Sequence, residues 1–116
     1  MPIHLLWGDD TGARDLAVEN LINKIIDPVW RSFNLSRIDG SDNGRIKQIL
    51  EEVRTPPLGN GARVLLVNKS PFCNGCSTEL ASQFLSIIPL IPKQTYLILN
   101  NALKPDGRLK TTKKLQ

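Results

Sequence analysis

Apolar residues recur along this chain in two rhythms. Ile3–Trp7, Arg63–Val67 and Tyr96–Leu99 are short, nearly continuous apolar runs, and each ends at Gly8, Asn68 or Asn100. Runs of that length read as strands buried on both faces, and three of them predict the centre of a sheet. Phe33–Ile38 is a weaker strand, interrupted by Asn34, Ser36 and Arg37 as expected at a sheet edge. Between the strands the period lengthens. Leu16, Val18, Leu21, Ile22, Ile25 and Ile26 recur at helical spacing until Pro28, with Asp10 or Thr11 placed to cap the helix. Ile46, Ile49, Leu50 and Val53 mark a second helix after the turn Asp39-Gly40-Ser41-Asp42. Leu80, Phe84, Ile87 and Ile88 mark a third, stopped at Pro89, and a basic helix is expected from about Asp106. Alternation of strand and helix predicts an α/β fold: a parallel sheet with helices on both faces.

Composition narrows the class. The 116 residues are one domain's worth, and 41% are hydrophobic, enough for a core. No apolar run approaches the roughly 20 residues of a membrane span. The opening MPIHLLWGDD lacks a basic segment and reaches two aspartates quickly, unlike a signal peptide. Two cysteines, Cys73 and Cys76, are too few for a disulfide scaffold, so a cytoplasmic protein is expected. The net charge of +4 is unevenly placed: residues 1–103 carry 10 Lys+Arg and 10 Asp+Glu, whereas residues 104–116 carry five basic residues and one acid. Such a tail is either a solvated helix face or a surface for nucleic acid or an acidic partner. Its pattern meets no helix stop before the last residue, as expected of a piece of a longer protein.

Arg54–Asn68 is the stretch with the most pointed local logic. Pro56 and Pro57 stiffen the backbone, and Gly59 and Gly61 let it reverse, which sets Leu58 on a tight turn before the Arg63–Val67 strand. That leucine is either tucked beneath the domain or offered to a partner.

The residue types present bear on four chemistries. The strand–turn–helix from Trp7 to Asp15 lies where a nucleotide-binding protein keeps its phosphate loop, with Gly8 and Gly12 as the relevant glycines. Their spacing is one residue short, no Lys-Ser/Thr pair follows, and Asp9 and Asp10 repel phosphate. The Arg63–Val67 strand runs into Asn68-Lys69, where a nucleotidase would keep acids for magnesium. A degenerate phosphate loop is expected, with a divergent ATPase fragment as an alternative. Cys73-Asn74-Gly75-Cys76 before a helix is the other enzymatic alternative, a thiol–disulfide oxidoreductase. As half of a zinc site it lacks two ligands, His4 being the sole histidine and expected inside the first strand. No Ser-His or Cys-His pair suggests nucleophilic catalysis. No metal, cofactor or catalytic residue is expected.

Four stretches together resemble the N-terminal domain of the delta subunit of the bacterial DNA polymerase III clamp loader, in a form like that of cyanobacteria. Pro2–Asp10 is similar to its opening strand and phosphate-loop relic. Asp27-Pro28-Val29-Trp30 with Phe33-Asn34 is similar to its helix-to-strand junction. Thr55-Pro56-Pro57-Leu58-Gly59 and the strand after it resemble its clamp-contact turn. Lys104, Asp106, Arg108, Lys110, Lys113 and Leu115 resemble a K-x-D-x-R-x-K-x-x-K-x-L signature, the most specific of the four.

The resemblance implies an AAA+ nucleotide-binding-domain fold over residues 1–116, with lid and collar domains outside this chain. It implies a domain that is not itself catalytic and does not hydrolyse ATP, acting within a DNA-directed DNA polymerase holoenzyme. Its role would be to push an apolar anchor, here Pro57-Leu58, into a pocket of the sliding clamp and open the ring during DNA replication. The family often has two bulky apolar residues there; here the first is proline. Further partners implied are the ATPase subunits, delta prime and DNA through the complex, with Arg108, Lys110, Lys113 and Lys114 as candidate DNA or subunit contacts.

Overall fold

The computed structural model describes residues 3–72 and 76–102, the Asn43 side chain apart. Four strands, β1 (Ile3–Trp7), β2 (Leu35–Asp39), β3 (Arg63–Asn68) and β4 (Thr95–Asn101), form one parallel sheet in the order β1-β4-β3-β2. Between them run α1 (Thr11–Ile25), a 3-10 turn (Pro28–Trp30), the single-turn α2 (Arg31–Asn34), α3 (Asn43–Glu52) and α4 (Thr78–Ile87). A second 3-10 turn, Ile88–Leu90, continues α4 through Pro89.

Side chains of the two central strands alternate between two cores, the period of 2 that a pleated strand imposes. Val64, Leu66 and Ile98 point to one face, where Val18, Ile22 and Ile26 of α1 and its C-cap cover them. Leu65, Val67, Leu97 and Leu99 point to the other, under Ile46, Ile49, Phe84 and Ile87 of α3 and α4. Phe72 and Phe84 stack there nearly parallel, ring centroids 4.1 Å apart. The expected parallel sheet with helices on both faces is what forms. Helix starts follow local chemistry: the Asp10 carboxylate accepts from Ala13 N–H, Asp42 caps α3 through Gly44 and Arg45 N–H, and Ser77 caps α4 through Leu80 N–H.

Four local expectations are corrected. Phe33 and Asn34 belong to α2, and the strand begins only at Leu35. Asp27 caps the preceding turn and Pro28 fits its first position, so helical geometry is propagated through Asn34. β1, expected to be central, pairs only with β4 and is an edge strand among the described residues. Its apolar run serves both cores, Ile3 and Leu5 packing toward one face and Leu6 toward the other. Leu16 is exposed, because α1 buries only the Val18–Ile22–Ile26 stripe at four-residue spacing. His4 is half-buried, its ring stacked 6.0 Å from Tyr96.

Truncation of α1 at its buried and exposed faces separates these roles. Ile22→Ala is expected to cost about 2–5 kcal/mol of unfolding free energy. Leu16→Ala is expected to stay within about 0.5 kcal/mol of the parent, both measured by urea denaturation.

Candidate functional site

The turn between α3 and β3 is fastened at four points along the amino-terminal end of the sheet. At its start, the buried Thr95 hydroxyl donates to Thr55 C=O at 2.8 Å. In the middle, Asn34, which is fully buried, donates from Nδ2 to Leu58 C=O and accepts at Oδ1 from Leu58 N–H, both at 2.8 Å. Next, Gly59 has φ +70 and lies against the indole of Trp30, where a Cβ would overlap ring atoms Cδ2, Cε2 and Cζ2. Last, Gly61 has φ +87, and a Cβ there would sit 2.8 Å from Asp27 Cβ. The prolines stiffen the approach, while the two glycines allow contacts that no side chain permits.

The result is a main chain held down and a side chain held out. Leu58 is 54% exposed although its backbone is tied to a buried amide, and Pro57 is half-buried. Each hydrogen bond from Asn34 contributes on the order of 1 kcal/mol net, and losing that amide would free both Leu58 groups at once. The seat, Asp27 to Asn34, carries exposed apolar groups of its own: Val29 is 78% and Phe33 59% exposed. Phe33 packs against the same Trp30 that receives Gly59, with ring centroids 5.9 Å apart. Sequence pattern alone missed both, since Phe33 reads as a strand residue until Asp27-Pro28 is recognised as a helix start.

Charged groups fasten the seat to α1. Glu19 meets Arg37 at 2.7 Å and Arg31 at 3.3 Å, and Arg31 also donates to Asn23 Oδ1 at 2.9 Å. The Arg37 hydrogen bond holds the Glu19 carboxyl below its ordinary range, partly opposed by burial, with the Arg37 and Arg31 charges adding to the lowering. Arg63 reaches across from β3, its Nη1 donating to Phe33 C=O at 3.4 Å and its Nη2 lying 3.9 Å from Glu52.

At the opposite, carboxyl end of the strands lies the turn from Gly8 to Gly12, where a degenerate phosphate loop is expected. In open α/β sheets this is the end where nucleotides bind. Gly8 follows β1 and Gly12 sits in the first turn of α1, beside a cavity of about 270 Å³ lined by Trp7, Asp9, Asp10, Ala13 and Arg14. The Arg14 guanidinium donates to Gly8 C=O from Nη1 and to Asn100 Oδ1 from Nε at 2.7 Å. Asn100 in turn donates to Asn68 Oδ1 at 2.8 Å. An arginine and two amides thus occupy the positions facing the loop, satisfying one another.

The remaining candidates separate. Cys76 lies just ahead of the Ser77 cap, and burial pushes its thiol up from its ordinary range, away from an activated thiolate. Cys73, the other cysteine of the motif, lies outside the described residues, as do Arg108, Lys110, Lys113 and Lys114. Among the described residues, no group of three or more His, Cys, Asp or Glu is arranged to hold a metal ion.

Comparison with known proteins agrees with this architecture. The sequence profile of the family described as DNA polymerase III, delta subunit, matches residues 4–116. The chain belongs to that family. The Bacillus subtilis DNA clamp loader delta protein YqeN superposes with a TM-score of 0.80 at 26% identity, covering 99% of this chain and 35% of that one. A DNA polymerase III gamma subunit-related protein of Thermotoga maritima superposes with a TM-score of 0.69 at 19% identity, covering 97% of this chain and 38% of its own, a likeness of fold. The delta-family chain therefore spans little more than a third of the length of either. No curated protein sequence matches it at a significant level.

The seated turn makes a direct stability claim. Gly59→Ala is expected to destabilise by about 1–3 kcal/mol from the left-handed backbone alone, more with the Trp30 overlap, measured by the shift in denaturation midpoint.

Proposed function

We propose that this chain is the N-terminal, clamp-binding portion of a clamp-loader delta subunit, an interaction module and not itself an enzyme. It docks on the sliding clamp through Leu58, with Pro57 stiffening the anchor, and helps open the ring for loading onto DNA during replication. Membership of the delta family supports the setting. The observation that carries the site is Leu58: an exposed apolar side chain on a backbone pinned at both its N–H and its C=O. A rigid anchor loses little freedom on docking, and one or two such residues can dominate an interface. Opening a ring further requires tighter binding to the open than to the closed clamp.

In this reading residues 1–116 form the AAA+-like domain, and lid and collar domains elsewhere in the subunit join it to the ATPase subunits and delta prime. The basic residues Arg108, Lys110, Lys113 and Lys114 would face DNA or a neighbouring subunit. The protein works in the cytoplasm. No helix among the described residues is long and apolar enough to cross a membrane. The domain does not hydrolyse ATP, a reading supported by Arg14, Asn100 and Asn68 engaging one another where a lysine and acids would serve a nucleotide.

Binding of the chain to its cognate sliding clamp, by surface plasmon resonance, tests the anchor. Leu58→Asp is expected to weaken binding at least tenfold, since burying a leucine contributes roughly 1.5–3 kcal/mol. Equal binding of parent and variant would place the anchor elsewhere, and no binding by a folded parent would sink the clamp reading. Magnesium-ATP at millimolar concentration is expected to leave the melting temperature unchanged; a rise of several degrees would restore the nucleotide-binding alternative.

A further inference from the structure

Asn34 is a polar side chain with no exposed surface, placed at the end of α2, and the structure gives both ends of its carboxamide to one residue 24 positions away. Burying an amide is costly unless it is hydrogen-bonded, and an apolar residue would fill such a site without that demand. The amide reproduces on one side chain what a paired strand would offer, a donor and an acceptor to the same residue. With its N–H and C=O both fixed, Leu58 keeps freedom only in its side-chain torsions. Thr95 fixes the chain three residues earlier, and Trp30 blocks its retreat one residue later.

We infer that Asn34 is the positioning residue of the docking site: it aims Leu58 at the apolar pocket of the partner clamp and touches the partner only through Leu58. This rests on the proposed clamp-binding reading and names the residue that makes the anchor competent. Phe33, its neighbour, is 59% exposed beside the same seat, so α2 presents an apolar group outward while using the next residue to hold the turn.

The test is a double-mutant cycle on the full 116-residue chain with immobilised cognate clamp, read together with amide hydrogen exchange. Asn34→Ala is expected to weaken binding at least tenfold. Leu58→Ala should weaken it similarly, and the double variant no further than Leu58→Ala alone. The Leu58 amide is expected to exchange at least tenfold faster in Asn34→Ala, while the amides of Leu97–Leu99 keep their protection. If Asn34→Ala does not fold, Asn34→Asp is read instead. It keeps an acceptor for the Leu58 N–H and loses the donor to its C=O, so the same coupling is expected.

Unchanged binding, losses that add fully to those of Leu58→Ala, or a Leu58 amide equally protected in Asn34→Ala would each overturn the positioning role while leaving clamp binding intact. A folded parent chain that does not bind the clamp would remove the clamp reading, and this role with it.

Discussion

Strands β3 and β4 are buried on both faces, and every other feature of this fold answers to that constraint. Val64, Leu65, Val67, Leu97, Ile98 and Leu99 have no exposed surface, and Leu66 almost none. Two apolar layers must therefore cover one sheet, which requires helices on both sides. Polar side chains are excluded from the middle of these strands and gather at their ends. Buried polar atoms must find partners there, because burial without a hydrogen bond is costly. The two ends solve that problem differently: one closes into a polar network, the other holds an apolar side chain outward.

At the carboxyl end the polar groups satisfy one another. Arg14 reaches Gly8 and Asn100, Asn100 reaches Asn68, and Asn101 accepts from Ser70 N–H. Lys69 adopts a left-handed backbone with φ 58 as the chain leaves β3, and its N–H is taken by Asn100 C=O. At the amino end, by contrast, the polar groups are spent on holding a turn. Thr95 and Asn34 each turn a buried side chain toward main-chain atoms of residues 55–58. One end is closed chemistry; the other presents an apolar side chain with its backbone already ordered.

Much of this was legible in the pattern of residues. Continuous apolar runs marked β3 and β4, polar interruptions marked β2 as an edge, and Pro56, Pro57, Gly59 and Gly61 marked the turn before any geometry was known. The absence of a Lys-Ser/Thr pair after Gly12 and of acids after Val67 was equally plain. What the pattern could not carry was pairing at a distance. Asn34 reads as a polar break in a strand, and only the folded chain brings it to Leu58. Nor does an apolar run distinguish an edge from a centre when both faces are covered, and among the described residues β1 pairs only with β4. Leu16 failed for a related reason: six apolar positions fit a helical period, but a helix resting on a sheet buries one narrow stripe.

The exposed groups around the turn make sense once ordering is counted. An apolar side chain left in water gains nothing from the fold, and single exposed leucines are common enough to need no explanation. Leu58 differs in what surrounds it. Two hydrogen bonds, an aromatic ring and two left-handed glycines are committed to a residue whose own side chain contributes little to the core. A loop needed only to connect α3 with β3 could meet its backbone requirements with water, as surface loops usually do. Investing buried groups in the conformation of an exposed residue is reasonable when that conformation has a use beyond folding. The entropy of ordering the anchor is then settled during folding and does not oppose association later.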